Sequence, residues 1–280
     1  MSVAIAGSDR EKHRSKRIDL RRFAAGLAST ARLLLTPLGK HAARFHKSMQ
    51  SEERLRSGLI IVLPGIDGHT TVSDNVSRGL FRAGTSHAVE IHDWRWFPGW
   101  NPLHLCTYRN NVAKASGIAQ RIREYRKQFP GGEIHLIGHS AGAGMALFTL
   151  RELPDDQPIT SVVLLAAAVS RDFSVQDLAN RTTHGIWNFS SRADLPAVGL
   201  GTLIFGTMDR RHVAAAGAFG FRGEESNKSQ LREIRYSLPM VRHWHFGGHF
   251  GCTNVAFVSH YVAPIISGAA RTVSELSGRN

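Results

Sequence analysis

The sequence is poor in cysteine, since Cys106 and Cys252 are the only two among 280 residues. Two cysteines so far apart define neither a disulfide framework nor a zinc knuckle. Long apolar runs are missing as well. Arg32 interrupts the apolar stretch of the N-terminal region, which falls short of the ~18 uninterrupted residues of a membrane span. The same region has no clean apolar centre with a small-residue cleavage site, so we expect no cleaved secretory signal.

Acidic residues are scarce, with 22 Asp and Glu against 35 Lys and Arg and a net charge of +13. Residues 1–57 hold 13 basic and 5 acidic residues, a net charge of +8, and residues 58–280 hold 22 and 17, a net charge of +5. The excess therefore belongs mainly to an N-terminal extension. No RNA-binding signature or aromatic-interleaved basic face accompanies it, so we expect no nucleic-acid partner.

The N-terminal extension, residues 1–57, carries a helical pattern. Apolar residues recur at steps of three and four, which predicts an amphipathic helix within residues 20–47. The residues of this stripe are Leu20, Phe23, Leu27, Ala31, Leu34 and Leu38. A basic amphipathic helix can lie on a membrane surface, and packing against the main domain is the alternative. We predict a cytoplasmic protein, with peripheral membrane association through this helix as a further hypothesis.

Short apolar strands alternate with helical segments in residues 58–280, and an overall apolar content of 42% suffices for a large core. The predicted strands are Leu59–Leu63, Ala88–Ile91, Ile134–Ile137, Ser161–Ala167, Ile186–Ser190 and Val241–Phe246. The predicted helices are Asp74–Ala83, Asn110–Phe129, Ala143–Leu153 and Thr253–Ile266. This alternation predicts a single α/β domain with a mainly parallel sheet.

One pentapeptide, GHSAG at residues 138–142, lies between a predicted strand and a predicted helix. A G-x-S-x-G sequence in that context is typical of a nucleophile elbow, a sharp turn that presents the serine hydroxyl above the sheet edge. Gly138 and Gly142 fit positions where the strand and helix backbones approach closely. The pattern makes Ser140 a candidate nucleophile, and a tight turn with a structural serine is the alternative.

A serine hydroxyl needs a base within hydrogen-bond reach, and histidine titrates near neutrality. His249 lies in the glycine-rich segment GGHFG before the closing helix, where a loop can approach the elbow. Asp194 follows the strand that ends in WNFSS, so it lies at the carboxyl end of a strand, where open α/β sheets build their sites. We therefore prefer Asp194 as the partner of His249, with Asp209 as the second choice.

A tetrahedral intermediate needs backbone N–H donors for its oxyanion. One donor is expected at Ala141, directly after Ser140, and the other at Ile66, in the loop after the first strand. Asp67 in the same loop leaves the alternative that this is an unrelated polar turn.

Four segments, GHSAG, LPGIDG, WNFSSRAD and GGHFGCTN, together resemble proteins of the α/β-hydrolase fold over about residues 58–267. More narrowly, they are similar to uncharacterised α/β-hydrolase proteins of planctomycete bacteria. The resemblance implies helices on both faces of the sheet and a triad of Ser140, Asp194 and His249. Many such enzymes carry a helical lid where this chain has only Val169–Gly185, so we expect no large cap domain.

The expected activity is hydrolysis of a small-molecule carboxylic ester through an acyl-enzyme, without cofactor or metal. Trp94, Trp96, Phe97 and Trp100, in or beside the loop Arg95–Cys106, are candidates for lining an acyl pocket. A metal enzyme is a rival hypothesis, because His243, His245 and His249 form an H-x-H-x3-H pattern, and the first two alternate on a predicted strand. A third hypothesis is that the protein is a non-catalytic scaffold that binds a membrane or partner through residues 20–47.

Overall fold

Six short strands pair into one sheet in the computed structural model of the protein. The structure describes residues 20–35, 43–97, 103–195, 198, 201–222 and 230–277. The strands are β1 (Gly58–Leu63), β2 (Ala88–Ile91), β3 (Glu133–His139), β4 (Ser161–Leu165), β5 (Ile186–Ser190) and β6 (Leu231–Arg235). Their order is β2-β1-β3-β4-β5-β6 and every neighbouring pair is parallel. The chain runs outward from β1 to β2 and then returns to β3, so the order reverses between β1 and β3.

Helices of very different length connect the strands. Residues 20–35 are helical and are called α1. The others are α2 (Ala43–Ser48), α3 (Glu52–Ser57), α4 (Thr71–Arg82), α5 (Leu103–Cys106), α6 (Tyr108–Gln128), α7 (Ala141–Arg151), α8 (Gln176–Ala179), α9 (Gly201–Phe205), α10 (Ala216–Phe219), α11 (Val255–Phe257), α12 (Ala263–Ile266) and α13 (Val273–Ser277). A π-helical segment, Val258–Val262, joins α11 to α12, and short 3-10 turns cover Arg192–Asp194, Leu238–His243 and Gly251–Thr253.

Both faces of the sheet are buried, because successive strand residues point to opposite sides. Leu59, Ile61 and Leu63 belong to a core shared with α6 and α7. Ile60 and Val62 belong to a second core, shared with α4 and the helical residues 255–266. This is why the central strands read as continuous apolar runs, and it confirms the predicted sheet with helices on both faces. Only the four-residue α8 lies between β4 and β5.

The predicted last strand is wrong. Val241–Phe246 is not extended, since Leu238–His243 is a 3-10 helix with Pro239 in its first turn, and Trp244 then adopts φ 63°. The true last strand, β6, holds only two buried apolar residues, Leu231 and Ile234, among charged ones. Because β6 is an edge strand, it needs little apolar surface, and its sequence gives a weak signal.

Helix α1 contacts the main domain through its smallest residues. Asn254 Nδ2 donates to the carbonyl of Gly26 at 3.2 Å, and the Val255 amide donates to Ser29 Oγ at 3.2 Å. A side chain at Gly26 would overlap Trp244. The predicted apolar stripe therefore does not pack inward, and Leu20, Phe23, Leu27 and Leu34 are exposed. Leu38 lies outside the described residues.

Residues 43–57 also contact the main domain. The buried Met49 accepts a hydrogen bond from the amide of Val89 in β2 at 2.9 Å. Tyr125 Oη donates to the carbonyl of Leu55 at 2.7 Å. Residues 52–57, at the end of the N-terminal extension, form helix α3. A domain boundary at Gly58 stays a prediction. Among the residues that the structure describes, no helix has the length and apolar content required to cross a bilayer.

Candidate active site

Ser140 occupies a strained turn between β3 and α7. Its backbone angles are φ 55° and ψ −119°, in a region that residues with side chains rarely occupy and that costs on the order of 1–3 kcal/mol. The turn is held by its neighbours, because the Ser140 amide donates to the carbonyl of Leu165 at 2.9 Å and the Ala168 amide donates to the carbonyl of Ser140 at 3.1 Å. The carboxyl end of β4 therefore fixes the backbone that carries the serine.

Two glycines allow this turn to form. A Cβ atom on Gly138 would lie 2.4 Å from the carbonyl oxygen of Gly142, and one on Gly142 would lie 2.0 Å from that of Leu63. Both obstacles are backbone atoms, which cannot move aside as a side chain can. The spacing of small residues in GHSAG thus reflects three backbone segments in close contact.

The loop after β1 lies against Ser140. A Cβ atom on Gly65 would be 3.3 Å from Cβ of Ser140, and the Gly68 amide closes the loop by donating to the Gly65 carbonyl at 3.0 Å. The amides of Ile66 and Ala141 have no hydrogen-bond acceptor among the described residues. The loop and the elbow meet where the strand order reverses, the position at which open α/β sheets bind ligands.

His249 and Asp194 form a hydrogen-bonded pair, with His249 Nδ1 2.8 Å from Asp194 Oδ2. Asp194 lies in the turn after β5 and its side chain is 2% exposed. Burial raises the pKa of Asp194, and the hydrogen bond and charge of His249 oppose that rise. A carboxylate on Nδ1 leaves Nε2 of His249 available to another group. No hydrogen bond joins the Ser140 hydroxyl to His249 among the contacts of the described residues.

Asp209, the second candidate acid, is engaged elsewhere. Its carboxylate accepts hydrogen bonds from the Ser170 hydroxyl and, at 2.9 Å, from the Ser170 amide. Asp209 thereby ties its own loop to the segment after β4. The structure brings Asp194, and not Asp209, to His249.

His139 is a member of the site that the sequence did not single out. Its ring is fully buried, lies 4.8 Å from the ring of His249, and donates through Nε2 to the carbonyl of His249 at 3.1 Å. The pKa of His139 is lowered to about 3, mainly by burial and in smaller part by the nearby charge of His249. A neutral His139 therefore anchors the loop that carries His249. The residue type at this position of a G-x-S-x-G pattern is free, so no signal marked it.

Asp67 is the residue whose presence suggested an unrelated polar turn. It lies in the loop after β1 and accepts a hydrogen bond from the Thr70 hydroxyl. Burial raises the pKa of Asp67, while the Thr70 hydrogen bond and the charge of His249 lower it. The polar turn that was the alternative for this loop is thus present, and it coexists with the Ile66 amide, which has no acceptor among the described residues.

In the aromatic loop after β2, Trp94 packs against the protein core. Trp94 is fully buried, and its Nε1 donates to the carbonyl of Pro64 at 2.7 Å, which fixes the loop after β1. Trp96 is exposed, and Phe97 stacks on the buried His104 with ring centroids 4.3 Å apart. Trp100 lies outside the described residues. The expected lining role thus stays a prediction for Trp96 and Phe97, whereas Trp94 packs the loop down.

Metal-binding capacity lies away from the predicted H-x-H-x3-H pattern. Within the described residues, donor atoms gather in two groups, one formed by His46, His69 and Asp74 and the other by His87, Glu133 and His135. His243 and His245 join neither group. His243 is the last residue of the 3-10 helix Leu238–His243 and His245 follows that helix, so the two histidines do not alternate along a strand. His243 stacks on His260 at 3.8 Å between ring centroids.

The group of His46, His69 and Asp74 is joined by hydrogen bonds. His46 Nε2 and His69 Nε2 lie 2.8 Å and 2.9 Å from the same oxygen, Oδ1 of Asp74. Burial alone would raise the pKa of Asp74, but the hydrogen bonds from the two histidines lower it below its ordinary value. The group connects α2 to the first turn of α4.

Comparisons with known proteins find similarity in structure alone. No family model matches the chain, and no curated protein matches it. Among solved structures, one match is a dienelactone hydrolase-like promiscuous phosphotriesterase from metagenomic libraries, with 15% identity, a TM-score of 0.47, and coverage of 75% of this chain and 86% of that chain. Another is a predicted CIB-like hydrolase from Thermoplasma acidophilum, with 16% identity, a TM-score of 0.41, and coverage of 79% and 88%. An esterase of Pyrobaculum calidifontis has 16% identity, a TM-score of 0.42, and coverage of 79% and 78%.

Those scores are low, so the assignment rests on the chain itself. Six parallel strands in the order β2-β1-β3-β4-β5-β6, helices on both faces and a strained serine between β3 and α7 decide it. The fold is that of the α/β-hydrolases. The α/β-hydrolase fold predicted from the four sequence segments is confirmed, and it hosts many activities. The narrower resemblance to planctomycete proteins stays a prediction.

Proposed function

We propose that the protein is a serine hydrolase that cleaves carboxylic esters with Ser140, His249 and Asp194. The observation that carries the proposal is the 2.8 Å contact between His249 and the buried Asp194, in a loop anchored beside the elbow serine. An aspartate on Nδ1 fixes the tautomer in which Nε2 is the base. The open Ser140–His249 contact is compatible with this role, because catalytic hydrogen bonds are often long before substrate binds.

In the proposed reaction, Ser140 Oγ attacks the ester carbonyl while His249 Nε2 takes the hydroxyl proton. The tetrahedral oxyanion accepts hydrogen bonds from the amides of Ile66 and Ala141. The intermediate collapses, His249 returns the proton to the departing alkoxide, and an alcohol leaves. Water then attacks the acyl-serine with His249 again as base, and the carboxylic acid and free Ser140 are regenerated. Asp194 stabilises the imidazolium in both halves.

The experiment that tests this proposal is labelling with a fluorophosphonate, which phosphonylates an activated serine. We expect the wild-type protein to be labelled, Ser140→Ala to be unlabelled and His249→Ala to be labelled far more slowly. Ser174→Ala is the matched control, since Ser174 is an exposed serine whose partner is Asp177. Equal labelling of Ser140→Ala and wild type would refute the proposal, as would an unlabelled wild type that also fails to turn over nitrophenyl esters.

A further inference from the structure

Exposed apolar side chains on α1 form an outward face. Leu20, Phe23, Leu27, Leu34 and Leu35 are 69%, 58%, 50%, 75% and 80% exposed. The opposite side of the helix is already used, because Gly26 and Ser29 are buried against the domain. Soluble surfaces rarely present an apolar stripe of this extent without a partner. The helix is therefore fixed in place with its apolar side turned to the outside.

This stripe continues toward the candidate active site. The rings of Phe23 and Trp244 are 5.2 Å apart, and those of Trp244 and Phe246 are 6.0 Å apart. Three residues beyond Phe246 comes His249, whose ring is 5.1 Å from that of Phe250. Phe246 and Phe250 are 61% and 45% exposed. We call the exposed side chains of Leu20, Phe23, Leu27, Phe246 and Phe250 the apolar rim.

A second group of exposed apolar residues lies on segments that adjoin the site. Leu195 directly follows Asp194 and is exposed. Helix α9 exposes Leu203, Ile204 and Phe205. The segment after α9 is held at the carboxyl end of β4, since the Met208 amide donates to the carbonyl of Ala168 at 3.0 Å. Exposed apolar side chains therefore directly follow both members of the His249–Asp194 pair, Phe250 after His249 and Leu195 after Asp194.

The charge around the rim is basic. Helix α1, residues 20–35, contains three Arg and no Lys, Asp or Glu. Arg21 on α1, Arg192 beside Asp194 and Arg242 before Trp244 are all exposed. Apolar side chains that enter a bilayer, surrounded by cations at headgroup level, are the pattern of a protein bound to an anionic lipid surface. A second copy of the chain fits less well, because a two-fold contact through the rim would place these arginines against one another.

We infer that the apolar rim binds the surface of an anionic phospholipid bilayer, and that the Ser140 site takes its ester from that surface. This inference rests on the proposed function for the substrate class, and it adds the lipid phase as the source of substrate. Since the described segment between β4 and β5 holds only the four-residue α8, a bilayer against the rim would shield the reacting ester from bulk water.

The test is sedimentation of the full chain with vesicles of phosphatidylcholine alone and of phosphatidylcholine with phosphatidylglycerol. We expect binding to the anionic vesicles, weakened by added salt. Phe23→Ser and, on a separate segment, Phe246→Ser should each weaken binding by about tenfold, the worth of one large buried apolar side chain. Phe81→Ser is the matched control, because Phe81 is equally exposed, at 50%, but lies at the end of α4.

Ser140→Ala separates this inference from the proposed function, since it should lose ester turnover and keep vesicle binding. The inference is overturned if wild type stays in the supernatant with anionic vesicles while it cleaves a soluble nitrophenyl ester. It is also overturned if both rim variants bind as wild type does, or if the rim proves to join two copies, seen as a dimer that Phe23→Ser dissociates and that binds no vesicles. Vesicle binding without turnover of any ester would instead count against the proposed function.

Discussion

The two ends of the sheet each carry a histidine paired with a carboxylate at 2.8 Å. At the carboxyl end the pair is His249 and Asp194, and at the amino end it is His87 and Glu133. The electrostatics are opposite. Burial raises the pKa of Asp194, whereas interactions with His135 and His87, opposed by partial burial, lower the pKa of the half-exposed Glu133 to about 2.

The difference teaches that the contact alone does not make a site. Near the carboxyl end there is a serine on a strained turn, and the amides of Ile66 and Ala141 beside it have no acceptor among the described residues. The amino end offers His135, whose ring bonds Ser161 through Nδ1 at 2.8 Å inside the sheet. The first pair lies beside that serine, whereas the second joins the residue before β2 to the first residue of β3, on either side of β1.

The largest expected effect tests this division directly. Ser140→Ala and His249→Ala should lower kcat for a nitrophenyl ester by about 10⁴ to 10⁶, and Asp194→Asn by about 10⁴, because these groups act as one unit. His87→Ala, the matched change at the amino end, should leave kcat near the wild-type value. Steady-state kinetics of the four variants is the measurement. A loss with His87→Ala as large as with His249→Ala would remove the distinction between the two ends.

The next effect concerns how tightly the carboxyl end is packed. Gly142→Ala places a methyl group 2.0 Å from the Leu63 carbonyl oxygen, so we expect a loss of about 1–3 kcal/mol in the free energy of unfolding and a loss of ester turnover. Gly58→Ala at the amino end meets the side chain of His87 at 2.0 Å, and should lower stability without the loss of turnover.

Urea unfolding and kinetics of both variants provide the measurement. Gly117→Ala is the control, since nothing lies within 4 Å of its added Cβ on α6. It should raise stability by about 0.5–1 kcal/mol through helix propensity. If Gly142→Ala proved as stable as the wild-type protein, the elbow would be less tightly packed than its contacts imply.

These expectations show which features the sequence could predict. Strands β1, β3, β4 and β5 are covered on both faces, so each reads as an apolar run, and the glycines of the elbow mark a close backbone approach that only small residues permit. The pairing of His249 with Asp194 over Asp209 followed from the position of each acid relative to its strand.

Other features could not be predicted, for physical reasons. Strand β6 is an edge strand with several charged residues, so its sequence lacks the apolar pattern by which a strand is recognised. The stripe on α1 gives the period of a helix but not the side that packs, and here Gly26 and Ser29 pack because they allow a close approach. His139 acts through a contact with His249, 110 residues away in sequence, which no local pattern records.

A smaller effect is expected at His139. His139→Leu removes the hydrogen bond to the His249 carbonyl, worth about 0.5–1.5 kcal/mol, and should lower kcat about threefold to tenfold with little change in KM. His139→Gln keeps an N–H donor and should recover part of the loss. A purely structural role predicts instead equal losses of folded protein for both variants with kcat per folded molecule unchanged, which circular dichroism and active-site titration would reveal.

The smallest effects are opposite changes in stability with pH. The pKa of Glu133 is lowered from 4.5 to about 2. Its contribution to the free energy of unfolding is therefore complete above about pH 4.5 and is lost as the pH falls toward 2. Glu133→Gln should thus be less stable than wild type at pH 7, by about 1 kcal/mol once solvent screening is allowed for, and equally stable near pH 2.

Asp194→Asn should show the opposite dependence on pH. A carboxyl group whose pKa is raised by folding makes the wild-type protein less stable as the pH rises through that pKa. We expect the variant to be at least as stable as wild type at pH 7 and inactive. Thermal unfolding measured from pH 3 to pH 7 compares the two ends of the sheet in a single experiment. Parallel pH curves for the two variants would contradict the opposite electrostatics.

The hydrogen bond from Val89 to Met49 has a consequence for the outer edge of the sheet. Strand β2 borders the sheet, and its outer row of amides and carbonyls is a template on which another chain could add a strand. Met49 occupies one of those outward amides. A chain shortened to begin at Gly58 would expose this template and should self-associate, whereas one that begins at Ala43 should keep its border closed.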